Sequence, residues 1–126
     1  MHESGEDYLE TIYTLKKKNG SVRSIDVAQE LGFSRPSVSR AVGILKEGGY
    51  LIMHDDGELE LTDEGTKKAK AVYERHTNLT KFLMMTAKVD AKTAETDACR
   101  IEHIISPETF KGIKKFMKEH KDMISE

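Results

Sequence analysis

Several shortages bound this sequence before any motif is read. A single cysteine, Cys99, cannot close a disulfide within the chain, which fits a reducing compartment, and a cytoplasmic protein is expected. Tryptophan is absent and aromatic residues make up only 6% of the chain, which argues against a large aromatic pocket for an organic substrate. No apolar run approaches the ~20 residues that a membrane span needs. The start, Met1-His2-Glu3-Ser4-Gly5-Glu6-Asp7, is acidic and has no apolar stretch, so it is no signal peptide. Neither an internal repeat nor a low-complexity linker is visible. At 126 residues the chain is expected to form one domain, or two small subdomains sharing a core.

The net charge of −2 does not announce a nucleic-acid binder, but the distribution of charge is uneven. Residues 1–15 hold Glu3, Glu6, Asp7 and Glu10 with no Lys or Arg. Residues 16–50 hold seven basic residues against three acidic ones, and residues 51–75 hold four against seven. Positive charge is thus concentrated in one early segment, as a local DNA-facing surface requires.

That segment has the punctuation of a helix-turn-helix. Tyr8, Leu9, Ile12, Tyr13 and Leu15 predict a helix over residues 6–18, ended by Lys16-Lys17-Lys18-Asn19-Gly20. A short helix is predicted over 24–31, with Ser24 as its cap, Ile25, Val27, Ala28 and Leu31 buried, and Gly32 closing it. Ser34 caps the next helix, which carries Pro36 in its first turn, where a missing N–H does no harm. Its inner face is Val38, Ala41, Val42 and Leu45. Its outer face is Arg35, Ser37, Ser39, Arg40, Gly43 and Lys46, small hydroxyls and cations suited to a major groove. Candidate DNA contacts are therefore Ser34, Arg35, Pro36, Ser37, Ser39, Arg40 and Lys46.

After Gly48-Gly49, residues 50–54 and 59–61 read as two strands around the turn Asp55-Asp56-Gly57. Three helices followed by a hairpin is the order of a winged helix. The hairpin tip is acidic, so the recognition helix rather than the wing is expected to carry DNA contact. Thr62-Asp63-Glu64 starts a long helix to about residue 86, with Ala69, Val72, His76, Leu79 and Leu83 on its inner stripe. Asp90 caps a helix expected over 91–105, and Ser106-Pro107-Glu108 starts one over 107–119, followed by a polar tail. The fold class is mainly α. A winged helix-turn-helix occupies residues 1–70 and a helical dimerisation and metal-binding unit residues 71–126, with the long helix from about 62 spanning the join. The last three helices carry more apolar stripe than so small a winged helix can cover, so a homodimer on a two-fold axis is expected, reading palindromic double-stranded DNA.

The segment Cys99-Arg100-Ile101-Glu102-His103 suggests what controls that binding. On a helix, at about 100° per residue, the thiol, carboxylate and imidazole fall within an arc of roughly 100°. Such a donor set suits a transition-metal ion. Asp7 and Glu10, an i, i+3 pair, repel each other mildly unless a cation sits between them. His76 interrupts an apolar stripe, where a hydrogen-bonded core histidine is the ordinary alternative to a ligand.

Four segments together resemble a known family: Glu6-Asp7-Tyr8-Leu9-Glu10-Thr11-Ile12-Tyr13, Ser34-Arg35-Pro36-Ser37-Val38-Ser39, Leu61-Thr62-Asp63-Glu64-Gly65 and Asp97-Ala98-Cys99-Arg100-Ile101-Glu102-His103. They look like the iron- and manganese-dependent repressors of the diphtheria-toxin-repressor and manganese-transport-regulator type, over about residues 5–119. The resemblance implies a homodimeric winged-helix repressor that is not an enzyme. A divalent metal, Mn²⁺ or Fe²⁺, at one or two ions per subunit, would bind between the first helix and the dimerisation helices and activate operator binding at metal-uptake genes. The matching ligand positions are Asp7, Glu10, His76, Cys99, Glu102 and His103. Asp7, Glu10 and His76 look like the manganese branch, whereas Cys99 stands where that branch has a glutamate and matches the iron branch. The iron branch usually has a methionine at the Asp7 position and an additional SH3-like domain, for which this chain is too short.

Two other readings stay open on sequence grounds. A carboxylate-bridged metal enzyme in a helical bundle needs Glu-x-x-His motifs on two helices, and only one segment here joins Glu to His, adjacently. A metal-independent winged-helix dimer, sensing another ligand, would leave Asp7, Glu10 and Cys99 incidental.

Overall fold

The computed structural model describes residues 3–121. The order of elements among them is α1 (Glu3–Asn19), α2 (Ser24–Leu31), α3 (Arg35–Glu47), β1 (Leu51–Met53), β2 (Leu59–Leu61), α4 (Asp63–Ala87), α5 (Ala91–Ile101) and α6 (Pro107–Glu119). The chain divides into two compact units between Val72 and Tyr73, so α4 contributes to both. None of these helices is long and apolar enough to cross a membrane.

The first unit is a winged helix-turn-helix. Leu9 and Ile12 of α1, Val27 of α2, Val38 and Val42 of α3, and Leu51 and Leu59 of the strands form one core that water does not reach. These are the positions that recur at helical spacing, or at alternate strand positions, in the sequence. α1 begins at Glu3 rather than residue 6, and Lys16, Lys17 and Lys18 sit in its last turn, where cations favour the helix dipole. α2 starts at the expected residue, but Ser24 is not its cap. Arg23 occupies the cap position with extended backbone, and the Asp26 carboxylate turns back to accept from the Arg23 N–H at 2.9 Å. Ile25, expected to be buried, is 42% exposed. It lies about 200° round the helix from Val27, whose side chain is buried.

Gly32, at φ 70°, ends α2 in the left-handed region, and the N–H groups of Gly32 and Phe33 both reach the Ala28 carbonyl. β1 and β2 pair antiparallel in the register Leu51 with Leu61, Ile52 with Glu60 and Met53 with Leu59. The turn between them uses Gly57 at φ 89°, and the Asp56 carboxylate accepts from the Glu58 N–H. A third, single-residue strand was not legible in the sequence. Leu59 N–H donates to the Val22 carbonyl at 2.8 Å, and Arg23 bridges Glu58. The stretch Ser21-Val22-Arg23-Ser24 is too short to show alternation.

The hairpin is tied to α4 through Thr62. Its hydroxyl donates to the Gly49 carbonyl at 2.6 Å and accepts from the Gly65 N–H at 3.1 Å. This brings the first turn of α4 so close to Tyr50 that a Cβ at Gly65 would overlap the Tyr50 carbonyl oxygen. Backbone cannot yield there as a flexible side chain would.

In the second unit, Leu79, Ala98 and Phe110 form the core, with Leu83, Ile101, Ile105 and Ile113 packed against it. Asp90 caps α5 by accepting from the Thr93 N–H, which holds its carboxyl below the usual carboxylate range. Ser106 caps α6 by accepting from the Thr109 N–H. α5 stops at Ile101 and does not reach 105. Glu102 keeps a helical backbone and donates to the Ala98 carbonyl, after which Ile104 and Ile105 both donate to Ile101. Ser106, as the residue before Pro107, is extended at ψ 154°, so no helix can run through it. Five residues, 102–106, must therefore reverse the chain. Most of the expected polar tail, residues 122–126, lies outside the described residues.

The Gly65 contact gives a direct test of this fold. Gly65→Ala is expected to lower stability by about 1–3 kcal/mol, because overpacking here meets backbone. Chemical denaturation of the two proteins measures it, and a change under ~0.5 kcal/mol would contradict the close approach.

Candidate metal centre and DNA-binding face

The turn after α5 puts Glu102 at the centre of the second unit. Its side chain is fully buried, one of two buried polar or charged residues among those described, the other being Thr11. His76, on α4, meets it through Nδ1 at 3.1 Å from Oε2. His103, whose side chain is 2% exposed, places Nε2 at 3.4 Å from Oε1, too poorly aligned for a hydrogen bond. Oε1 thus has no hydrogen-bond partner. A buried carboxylate oxygen without a donor is costly, and a cation removes the cost.

Cys99, one helical turn before His103, is exposed as a residue. Its sulfur, a Glu102 oxygen and a His103 ring nitrogen lie within 4.8 Å of one another. Two ligands of one ion bound at about 2.0–2.3 Å are separated by at most ~4–5 Å, so this spacing suits a single transition-metal ion. The donor types and the orphaned oxygen both fit such an ion. Glu102 has a second oxygen, already beside His76, and so can serve two positions at once.

Asp7 and Glu10 belong to the first unit. They lie one turn apart on α1, both half-buried, beside the buried stripe of Tyr8, Leu9 and Ile12. The expected ligands thus divide into a pair on α1 and a cluster of His76, Cys99, Glu102 and His103 in the second unit. Arg75 was missed in the sequence reading. Its guanidinium donates to the Glu102 backbone carbonyl at 3.1 Å and lies 5.7 Å from the Phe110 ring centroid. No sequence pattern signals a side chain that serves a carbonyl 27 residues away.

The DNA-facing candidates all lie on or before α3. Ser34 accepts from the Ser37 N–H at 3.3 Å and donates to the Ser37 hydroxyl at 2.9 Å, so both serines also serve the helix start. Val38, Val42 and Leu45 are buried, and Arg35, Pro36, Ser37, Ser39, Arg40 and Lys46 are exposed on the other side. Arg35, Arg40 and Lys46 form no ion pair with another described residue. Ile44, 64% exposed, adds an apolar residue to this face that the sequence reading left out.

The wing is acidic but largely neutralised from within its own unit. Glu58 pairs with Lys16 at 3.2 Å, Asp56 with Arg23 at 3.7 Å and Glu60 with His54 at 2.6 Å. The Glu60 hydrogen bond raises the His54 pKa above its ordinary value. At Asp56, the Glu58 N–H and then Arg23 lower the carboxyl.

Comparison with known proteins agrees with both halves of this description. Residues 1–59 match the family model for the N-terminal DNA-binding domain of iron-dependent repressors. Residues 62–123 match the model for their metal-binding and dimerisation domain. An uncharacterised HTH-type transcriptional regulator of Methanocaldococcus jannaschii is 32% identical over 125 residues, covering 98% of this chain and all of that protein. The transcriptional regulator MntR of Escherichia coli O6:H1 is 34% identical over 115 residues, covering 91% of this chain and 74% of that one. A solved manganese-dependent transcriptional repressor in complex with manganese superposes with a TM-score of 0.84 at 27% identity, covering 90% of this chain and 52% of the other. The chain spans about half the length of several solved structures it matches, among them this manganese-dependent repressor. From the winged helix, the carboxylate-centred cluster and these matches together, the chain belongs to the iron-dependent repressor family of metal-dependent transcriptional regulators.

Proposed function

We propose that this protein is a homodimeric repressor whose binding to palindromic operator DNA is switched on by Mn²⁺ or Fe²⁺, at one or two ions per subunit, and that it controls metal-uptake genes. The observation that carries the metal reading is the buried Glu102 carboxylate, with one oxygen beside His76 and the other lacking a donor. Cys99, Glu102, His103 and His76 are the ligands from the second unit. Asp7 and Glu10 are assigned to the same centre by the family's ligand pattern and by their shared, half-buried side of α1. An ion held by ligands from both units fixes one relative to the other, and this is the proposed switch. The match of residues 62–123 to a metal-binding and dimerisation domain supports the dimer. Ser34, Arg35, Pro36, Ser37, Ser39, Arg40 and Lys46 form the proposed DNA face, with the acidic wing contributing less.

Metal is expected to raise operator affinity about 5- to 150-fold, the range of coupling free energies near 1–3 kcal/mol. Binding of a duplex selected from a random library, with Mn²⁺ or anaerobic Fe²⁺ and then with chelator, reads this. Equal affinity in both conditions would favour a metal-independent regulator.

Arg40→Ala is expected to cost about 1–3 kcal/mol of operator binding, with relaxed sequence preference, if the guanidinium reads a guanine edge. A uniform loss across sequences, with a salt dependence shallower by about one, marks a phosphate contact instead. Unchanged binding would mean that this face of α3 does not meet DNA.

Cys99 sets the metal preference in this reading. Thiolate favours Fe²⁺, Co²⁺ and Zn²⁺ over Mn²⁺, relative to a carboxylate. Cys99→Glu is therefore expected to shift activation toward Mn²⁺, while Cys99→Ser weakens it. Titration of the three proteins with each metal, read by operator binding, tests this, and identical rankings would remove Cys99 from the ligand set.

A further inference from the structure

Glu102 is held from α4 at two points. His76 meets its carboxylate, and the preceding residue, Arg75, donates to its backbone carbonyl at 3.1 Å. That carbonyl needs a donor, because α5 has ended and the N–H groups that follow turn elsewhere. His103 donates to Arg100, and Ile104 and Ile105 donate to Ile101. The guanidinium is itself fixed over Phe110 of α6. One side chain therefore joins α4, the turn after α5 and the start of α6, at the residue whose carboxylate both candidate ligand groups share.

We infer that Arg75 is a positioning residue for the metal centre. It sets the backbone of Glu102 so that one oxygen stays beside His76 while the other is presented toward Cys99 and His103. This inference rests on the metal-binding reading of Glu102. The guanidinium touches no candidate ligand atom and acts only through the Glu102 backbone. Without it the turn over residues 102–106 is free to choose other rotations of Glu102, and the two ligand groups lose their common member. Partners of ligating residues typically change metal affinity roughly 10- to 100-fold when removed.

Lys114 supplies a matched control. It also lies over the Phe110 ring, 5.6 Å from its centroid, and pairs with Glu74 of α4, but it does not touch Glu102. A residue that merely braces α4 against α6 should behave as Lys114 does. The experiment compares full-length wild type, Arg75→Met, Arg75→Lys and Lys114→Met. Mn²⁺ affinity is measured by chelator competition, the bound-Mn²⁺ signal by electron paramagnetic resonance, and metal-free stability by thermal unfolding.

Arg75→Met is expected to bind Mn²⁺ at least 10-fold more weakly with an altered resonance signal. Arg75→Lys, which keeps a donor, should recover part of the affinity, and Lys114→Met should bind as wild type does. Binding by Arg75→Met within twofold of wild type, or a loss no larger than that of Lys114→Met, would overturn the inference. If Arg75→Met does not fold, Arg75→Gln replaces it, with a side chain too short to span the same distance, and the same loss is required. Wild type that binds no Mn²⁺ or Fe²⁺ would instead remove the metal reading on which the inference stands.

Discussion

A carboxylate buried with only one of its oxygens hydrogen-bonded is the constraint around which the second unit is arranged. Glu102 is buried in the unit whose core is Leu79, Ala98 and Phe110. His76 satisfies one oxygen, Arg75 satisfies the backbone, and His103 stands near the other oxygen without a hydrogen bond to it. A buried carboxylate oxygen without a donor costs stability, a cost that a bound cation would offset.

The DNA-binding unit follows a complementary logic. Its apolar side chains are committed to one core, which leaves the cations of α3 with no work inside the protein. By contrast, the cations nearest the wing, Lys16 and Arg23, are engaged by Glu58 and Asp56. Exposed pairs of this kind contribute little to stability. Their consequence is electrostatic. The acidic hairpin and the basic residues beside it partly cancel, while Arg35, Arg40 and Lys46 stay exposed on the recognition helix.

Much of this was legible in the sequence because it is written in local rules. Apolar spacing placed the helices, and Ser34, Asp90 and Ser106 marked three helix starts with the side chains that cap them. Pro36 and Pro107 sit where a missing N–H is harmless. What was missed depends on contacts remote in sequence or on competition between neighbours. Asp26 outcompetes Ser24 at the start of α2 by reaching back to Arg23. α5 ends at Ile101, where the N–H groups of Ile104 and Ile105 turn back to one carbonyl, so Glu102 caps the helix and His103 lies past the regular turn that their spacing suggested. Within the second unit, Cys99, Glu102 and His103 were legible as a group from spacing alone. His76 entered the ligand set through the resemblance, its contact with Glu102 was not foreseen, and Arg75 had no signal at all, because a donor to a distant carbonyl leaves no periodicity.

The central claim is that Glu102 is buried as a carboxylate because it binds metal. Glu102→Gln keeps its size and removes its charge, and thermal unfolding of this variant and wild type, each metal-free and then with excess Mn²⁺ or anaerobic Fe²⁺, tests the claim most directly. A ligand that binds the native state raises the unfolding midpoint in proportion to its affinity. Wild type should be stabilised by metal and Glu102→Gln should not. Equal metal stabilisation of the two proteins would show that the carboxylate is buried for some other reason, and would contradict the account.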